Sequence, residues 1–201
     1  MCAVSSLGRS TGTKLHILDT AQRLVAAKGF SGVGLKDILA SAGVPKGSFY
    51  HWFSSKEAFG VDLLDHYFSK YLAEIDGILF APQENGRNRL LSYCQFWRKN
   101  QEQEDPDAKC LAVKLGAEVS DMSEEMRLAL KKGTSAIIER MGCVIEGGVR
   151  DGSITSTRIP HHLAETLYQL WMGASVMYKI TREGKSFEEA MAATEHLLTN
   201  T

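Results

Sequence analysis

The residues of this chain with chemistry to offer fall into three groups: a run of donors at 46–56, four scattered thiols, and a lysine in an apolar stretch. The first lies in "PKGSFYHWFSSKE", residues 45–57, which crowds four rings, a histidine and two lysines together. Read as a short helix at 100° per residue, it places Phe49 and Phe53 within about 40° of each other. Gly47, Ser48 and His51 point the opposite way, flanked by Lys46 and Tyr50. The two phenylalanines are expected to bury against Ile38, Leu39 and a preceding helix. The outward face suits a phosphate-lined groove. Lys46 brings charge, Ser48, Tyr50 and His51 are donors for phosphate oxygens or base edges, and Gly47 lets backbone approach closely. The next helix begins at "SSKE", so its first amides and Lys56 are placed to hold a further phosphate. The plain alternative is an amphipathic helix with a solvated polar face.

Thiol chemistry needs thiolate character and access. Cys2, Cys94, Cys110 and Cys143 form no CxxC and no His-x-Cys cluster, so neither zinc ligation nor a disulfide is expected in a reducing compartment. No metal or cofactor is called for. Cys110 sits in "DPDAKCLAVK". Asp105 or Asp107 is expected to cap a helix there, with Pro106 in its first turn, so that Cys110 falls where the helix dipole favours an anion. Lys109 and Lys114 add to this, and Asp105 and Asp107 oppose it. Cys110 is therefore the candidate sensor, against the alternative of a structural thiol. Cys94 and Cys143 are expected to be inert packing residues. Cys2 is expected near a frayed end, where reaction has no consequence.

Lys179 lies in "LWMGASVMYKI". It reads equally as a side chain snorkelling to the surface and as a pocket-edge amine that stabilises a thiolate or reacts with its oxidised form. Tyr93, Trp97, Tyr168, Trp171, Met172 and Met177 form a stripe that reads either as core or as the lining of an apolar ligand pocket. Gly173 and Ala174 would permit close helix approach, as at a dimer seam.

The elements that must position these residues are all helical. Alternating β-branched runs are absent and helical periodicity is strong. "LHILDTAQRLVAAKGF" puts Leu15, Leu18, Ala21, Leu24 and Val25 on one stripe, with Gly29 as its stop. "LKDILASAG" follows and ends at Gly43. "KGSFYHWF" is the third helix, opened by Pro45. A long fourth helix begins with Ser54 or Ser55 as N-cap, assisted by Glu57. Further helices are expected at roughly 87–103, 107–119, 123–148, 160–182 and 186–199. The chain reads as all-α: an N-terminal three-helix DNA-binding domain with helix-turn-helix at 1–57, and a larger helical body at 58–201.

Charge and composition agree with this division. Residues 1–57 carry seven basic and three acidic side chains, +4 on balance, although the whole chain is −1. A basic end on an acidic body suits a polyanionic partner. No apolar run reaches the ~18 residues of a membrane span, and no secretory signal is read at the start, so the expected place is the cytoplasm. A helical enzyme using Cys110 and Lys179 would be a different class, but no Ser-His-Asp, metal or phosphate-loop motif supports it.

The segment from about 13 to 60, through "AQRLVAAKGF" and "LKDILASAGVPKGSFYHWFSSKEAF", resembles the DNA-binding domain of the TetR family of bacterial transcriptional regulators. That resemblance implies a homodimer whose recognition helices enter successive major grooves of a palindromic operator. It also implies a divergent C-terminal body that binds a ligand and dimerises through its last two long helices. Where the family often has Thr or Ser at the start of the second helix, this chain has Val33 and Gly34, which removes a capping and phosphate-touching hydroxyl. "CLAVKLGAEVSDMSEEMR" and "LYQLWMGASVMYKITR" resemble, within the family, repressors that leave DNA when a cysteine is modified by electrophiles or oxidants. An apolar ligand bound reversibly is the alternative inducer.

Overall fold

In a computed structural model the described residues, 7–103 and 110–199, form nine α-helices and no strand. They are α1 Leu7–Lys28, α2 Leu35–Ala42, α3 Lys46–Trp52, α4 Lys56–Leu79, α5 Gly86–Glu102, α6 Leu111–Met122, α7 Glu124–Arg150, α8 Pro160–Thr181 and α9 Lys185–Thr199. No described helix is long and apolar enough to cross a membrane.

The chain divides into two compact units, Met1–Phe68 with Asp105–Lys131, and Ser69–Glu104 with Lys132–Thr201. This division differs from the boundary read at 57/58. The first unit takes in α6, because polar side chains of α6 bond to the end of α1 and the turn after it.

Within the first unit local signals decide the helix ends. Gly29 and Gly43 take left-handed φ of 82° and 63°, which stops α1 and α2 without the steric cost a Cβ would bring. Pro45 is the N-cap of α3 rather than its first helical residue. Ser55 caps α4, its hydroxyl oxygen accepting from the Ala58 N–H at 3.0 Å. The buried stripe of α1 includes Ile17, Leu18, Ala21 and Val25; Leu15, expected inside, is 42% exposed, and Leu24 is only half-buried. Leu18, Ala21 and Val25 are buried as read, and at the start of the stripe Ile17 rather than Leu15 meets the core.

In the second unit α5 starts on borrowed acceptors. The N–H groups of Gly86, Arg87 and Asn88 donate to Asp151 Oδ2, Ser153 Oγ and Asn85 Oδ1 at 3.0, 3.1 and 2.8 Å. Helix N-termini leave these donors without backbone partners, so the caps offset a burial cost. A Cβ at Gly86 would lie 2.4 Å from Gly148 Cα, so only glycine allows α5 this close to α7.

Arg182, at the end of α8, is the one non-glycine residue with positive φ among the described residues, at 60°. It is exposed. Arg182→Gly is expected to relieve this conformation and raise stability by roughly 0.5 kcal/mol, the gain being reduced by glycine's greater freedom when unfolded. Urea unfolding of the two proteins measures it.

Candidate nucleic-acid interface and thiol sites

The ring partition expected for 45–57 holds. Phe49 and Phe53 are each 1% exposed, with ring centroids 4.9 Å apart. Phe59, from the first turn of α4, completes the cluster at 5.4 and 5.1 Å. Its contribution was not read from sequence, although an apolar residue one turn into a capped helix is the available signal. Ile38 is buried as expected, while Leu39 is only half-buried.

Opposite these rings Lys46, Gly47, Tyr50 and His51 are exposed, and Ser48 is half-buried. The Lys46 ammonium stands 5.7 Å from the Tyr50 ring centroid, so charge and ring share one surface. Lys56 is turned elsewhere. Its Nζ donates to the Phe30 carbonyl at 3.0 Å and lies 4.7 Å from the Phe30 ring centroid. The residue read as a phosphate ligand therefore ties α4 to the turn after α1.

Val33 and Gly34 supply no side-chain cap to α2. The reverse half of a capping box is present: Asp37 Oδ2 accepts from the Gly34 N–H at 3.0 Å. The Lys14–Asp62 ion pair at 2.8 Å and a His66–Asp19 hydrogen bond at 2.9 Å link α1 to α4.

The thiols separate differently from expectation. Asp105, Pro106, Asp107 and Lys109 lie outside the described residues, as does Cys2. Cys110 is the N-cap of α6, one position before its first helical residue, and is 6% exposed. The sequence reading puts the cap at Asp105 or Asp107 and Cys110 inside the first turns; the helix instead begins at Leu111, so Cys110 stands just ahead of it. Lys114, expected to support the thiol from one turn on, donates instead to the Ala27 carbonyl at 3.2 Å. Cys94 is buried, and burial pushes its thiol up, as an inert packing residue requires. Cys143 is exposed, contrary to expectation, because it lies on the outer face of α7 between buried Met141 and Val144. Native-state alkylation followed by mass spectrometry is expected to label Cys143 within minutes and Cys94 only after unfolding.

Lys179 is half-buried in the last turn of α8, where a cation is favoured. Cys110 belongs to the first unit and Lys179 to the second. The aromatic stripe packs as core. Tyr93, Trp97, Tyr168 and Trp171 are buried, and the Trp97 ring centroid stands 5.8, 5.3 and 6.2 Å from those of the other three. Both indole N–H groups are satisfied internally. Trp97 donates to Ser175 Oγ at 2.9 Å and Trp171 to Thr194 Oγ1 at 3.0 Å. Met172 is half-buried and Met177 is 48% exposed, so the stripe does not continue through Met177. Ala174 faces α9, its carbonyl accepting from Ser186 Oγ at 3.0 Å, whereas Gly173 faces open space. Among the described residues no group of acidic, histidine or cysteine side chains could hold a metal ion.

A short helix, a left-handed glycine turn and a second short helix with an outward donor face define a helix-turn-helix regulator class. Residues 17–60 match the model of bacterial regulatory proteins of the tetR family, and residues 86–194 match a tetracyclin repressor-like C-terminal domain. The chain belongs to the TetR family. It is 39% identical over 186 residues to the HTH-type transcriptional repressor NemR of Escherichia coli strain K12, covering 92% of this chain and 94% of that one. It is 31% identical to the HTH-type transcriptional repressor DhaR of Mycobacterium sp. strain GP1, covering 95% of each. The crystal structure of the reduced form of E. coli NemR superposes with a TM-score of 0.89 at 39% identity, covering 94% of this chain and 98% of that one.

Proposed function

We propose that this protein is a dimeric repressor that binds a palindromic double-stranded DNA operator in the cytoplasm and leaves it when Cys110 is modified by an electrophile or oxidant. Lys46, Gly47, Ser48, Tyr50 and His51 face the major groove, while Lys56 stays on the Phe30 carbonyl and braces the start of α4. An amine, two hydroxyls and an imidazole on one short helix are the donors that phosphates and base edges require. Val176, Met177 and Ile180 on α8 are 44, 48 and 69% exposed, an apolar row that a second copy of the chain would cover.

The observation that carries the reading is the position of Cys110. It is the N-cap of α6, and the same helix bonds through Lys114 and Glu118 to the end of α1 and the turn ahead of α2. Added atoms on a buried N-cap sulfur displace the start of α6, and that displacement has a route to the DNA-reading helices within one unit.

The test is a gel shift on DNA upstream of the protein's own gene, with and without N-ethylmaleimide, for wild type and Cys110→Ser. Release of wild type alone is expected. Equal release of both proteins removes Cys110 as the switch and points to the exposed Cys143, whereas release of neither leaves a reversible apolar inducer, for which the Trp97–Trp171 core would have to open.

A further inference from the structure

The turn between α1 and α2 is held from outside by side chains that none of the DNA-contact residues requires. Glu118, two turns into α6, accepts from the Ser31 N–H at 2.6 Å through Oε1 and from the Phe30 N–H at 3.2 Å through Oε2. Lys114, one turn earlier on α6, donates to the Ala27 carbonyl at 3.2 Å. The Phe30 carbonyl accepts from Lys56 of α4 at 3.0 Å, and the Phe30 ring is 1% exposed. A Cβ at Gly29 would stand 2.8 Å from Glu118 Oε2, so glycine leaves the carboxylate its place. Burial pushes the Glu118 carboxyl up, but the bonds from Ser31 and Phe30 and the charge of Lys114 outweigh it and hold the group below the usual carboxylate range. Glu118 is therefore an anion at neutral pH, and bonds to a charged acceptor are the stronger kind.

This clamp stands where α2 is weakest. The N-cap of α2 is Gly34, three residues after Ser31, and it offers no side chain to the helix amides. Only Asp37 braces the start, by accepting from the Gly34 N–H. The rest of α2 packs on α1 through buried Ile38 and Ala42, with His16 Nε2 3.1 Å from the Ala42 carbonyl, so its N-terminal end depends on the turn that enters it. α2 in turn delivers the chain to α3 through the left-handed Gly43, with the Val44 N–H donating to the Leu39 carbonyl at 3.1 Å.

We propose that Glu118 is a positioning residue for DNA recognition: its carboxylate fixes the α1–α2 turn, and through it the direction of α2 and α3, without touching DNA. The inference rests on the DNA-binding reading of α3 and not on Cys110.

The test uses the full-length protein and fluorescence anisotropy. Wild type, Glu118→Gln and Glu118→Ala are titrated onto a labelled duplex from upstream of the gene and onto a scrambled duplex of equal length. Amide exchange at Phe30 and Ser31 is followed in parallel. Glu118→Ala is expected to weaken operator binding roughly tenfold. Binding to the scrambled duplex, set by surface charge, is expected to change less than about twofold. Glu118→Gln, which keeps one acceptor oxygen, is expected to fall between. Exchange at both amides should quicken in Glu118→Ala. Operator affinity within twofold of wild type in Glu118→Ala overturns the proposal. So does an equal loss on both duplexes, which would mark a residue that only keeps the unit folded. If wild type does not distinguish the two duplexes, the DNA-binding reading fails instead. The clamp is then judged on exchange alone, and unchanged protection in Glu118→Ala overturns it.

Discussion

Phe49→Ala is expected to cost the first unit about 3–5 kcal/mol and to abolish operator binding at ordinary protein concentrations. The ring is 1% exposed and meets Phe53 and Phe59 at centroid distances near 5 Å. α3 has seven residues and no side-chain N-cap, so it cannot persist as an isolated helix. Its hold on the unit is this ring cluster, and truncating the central ring leaves a cavity that two rigid neighbours cannot fill. Tyr50→Ala is the control one position along. Tyr50 is 50% exposed, so its loss should leave stability within ~0.5 kcal/mol. Operator affinity should nevertheless fall by about tenfold, the loss of one good polar contact. Urea unfolding and anisotropy on the same two variants separate the outcomes. A Phe49→Ala protein with wild-type stability would sink the packing account. A Tyr50→Ala protein with wild-type affinity would remove Tyr50 from the interface.

Trp171→Ala carries the other large effect, again about 3–5 kcal/mol, and here on the second unit. Trp171 is 1% exposed. It stacks on Phe187 at 5.9 Å and 23°, and lies 6.2 Å from the Trp97 ring. Its indole N–H donates to Thr194 and its carbonyl accepts from Ser175, which also takes the Trp97 N–H. Removing the ring thus opens a void between α5, α8 and α9 and takes the indole donor from the buried Thr194 hydroxyl. The Ser175 bridge, made to the Trp171 backbone carbonyl, keeps its partners. The midpoint of thermal unfolding should fall by about 10 °C for a chain of this size. Trp171→Phe keeps most of the apolar surface and loses one buried hydrogen bond, so it should cost nearer ~1 kcal/mol plus the difference in ring volume. Equal effects of the two substitutions would mean that the hydrogen bond, rather than packing, holds these helices.

Much of the fold was legible because its determinants are local. Gly29 and Gly43 stop helices by adopting a left-handed φ that other residues resist, and Ser55 caps α4 with its own hydroxyl. The division of 45–57 into buried and outward rings follows from 100° per residue alone. Where reading failed, the missing quantity was the neighbour. Leu15 and Ile17 are equally apolar, and only the placement of the core against α1 selects Ile17. Cys143 sits late in a long helix as expected, yet its exposure depends on which face of α7 is covered. Lys56 and Lys114 looked like charges available to a phosphate and a thiol. Each instead donates to a backbone carbonyl far away in sequence, Phe30 and Ala27.

The sequence by itself determined an all-helical chain, its turn glycines and the polar face of α3. These depend on backbone preferences and side-chain spacing within a few residues. Only the tertiary structure decided that Glu118 grips the Phe30 and Ser31 amides across 88 and 87 positions, that the aromatic stripe closes as core, and that Cys143 rather than Cys94 meets solvent. A hydrogen bond or a buried face needs two partners, and in a helical fold the second partner is set by how helices pack, which no local pattern encodes.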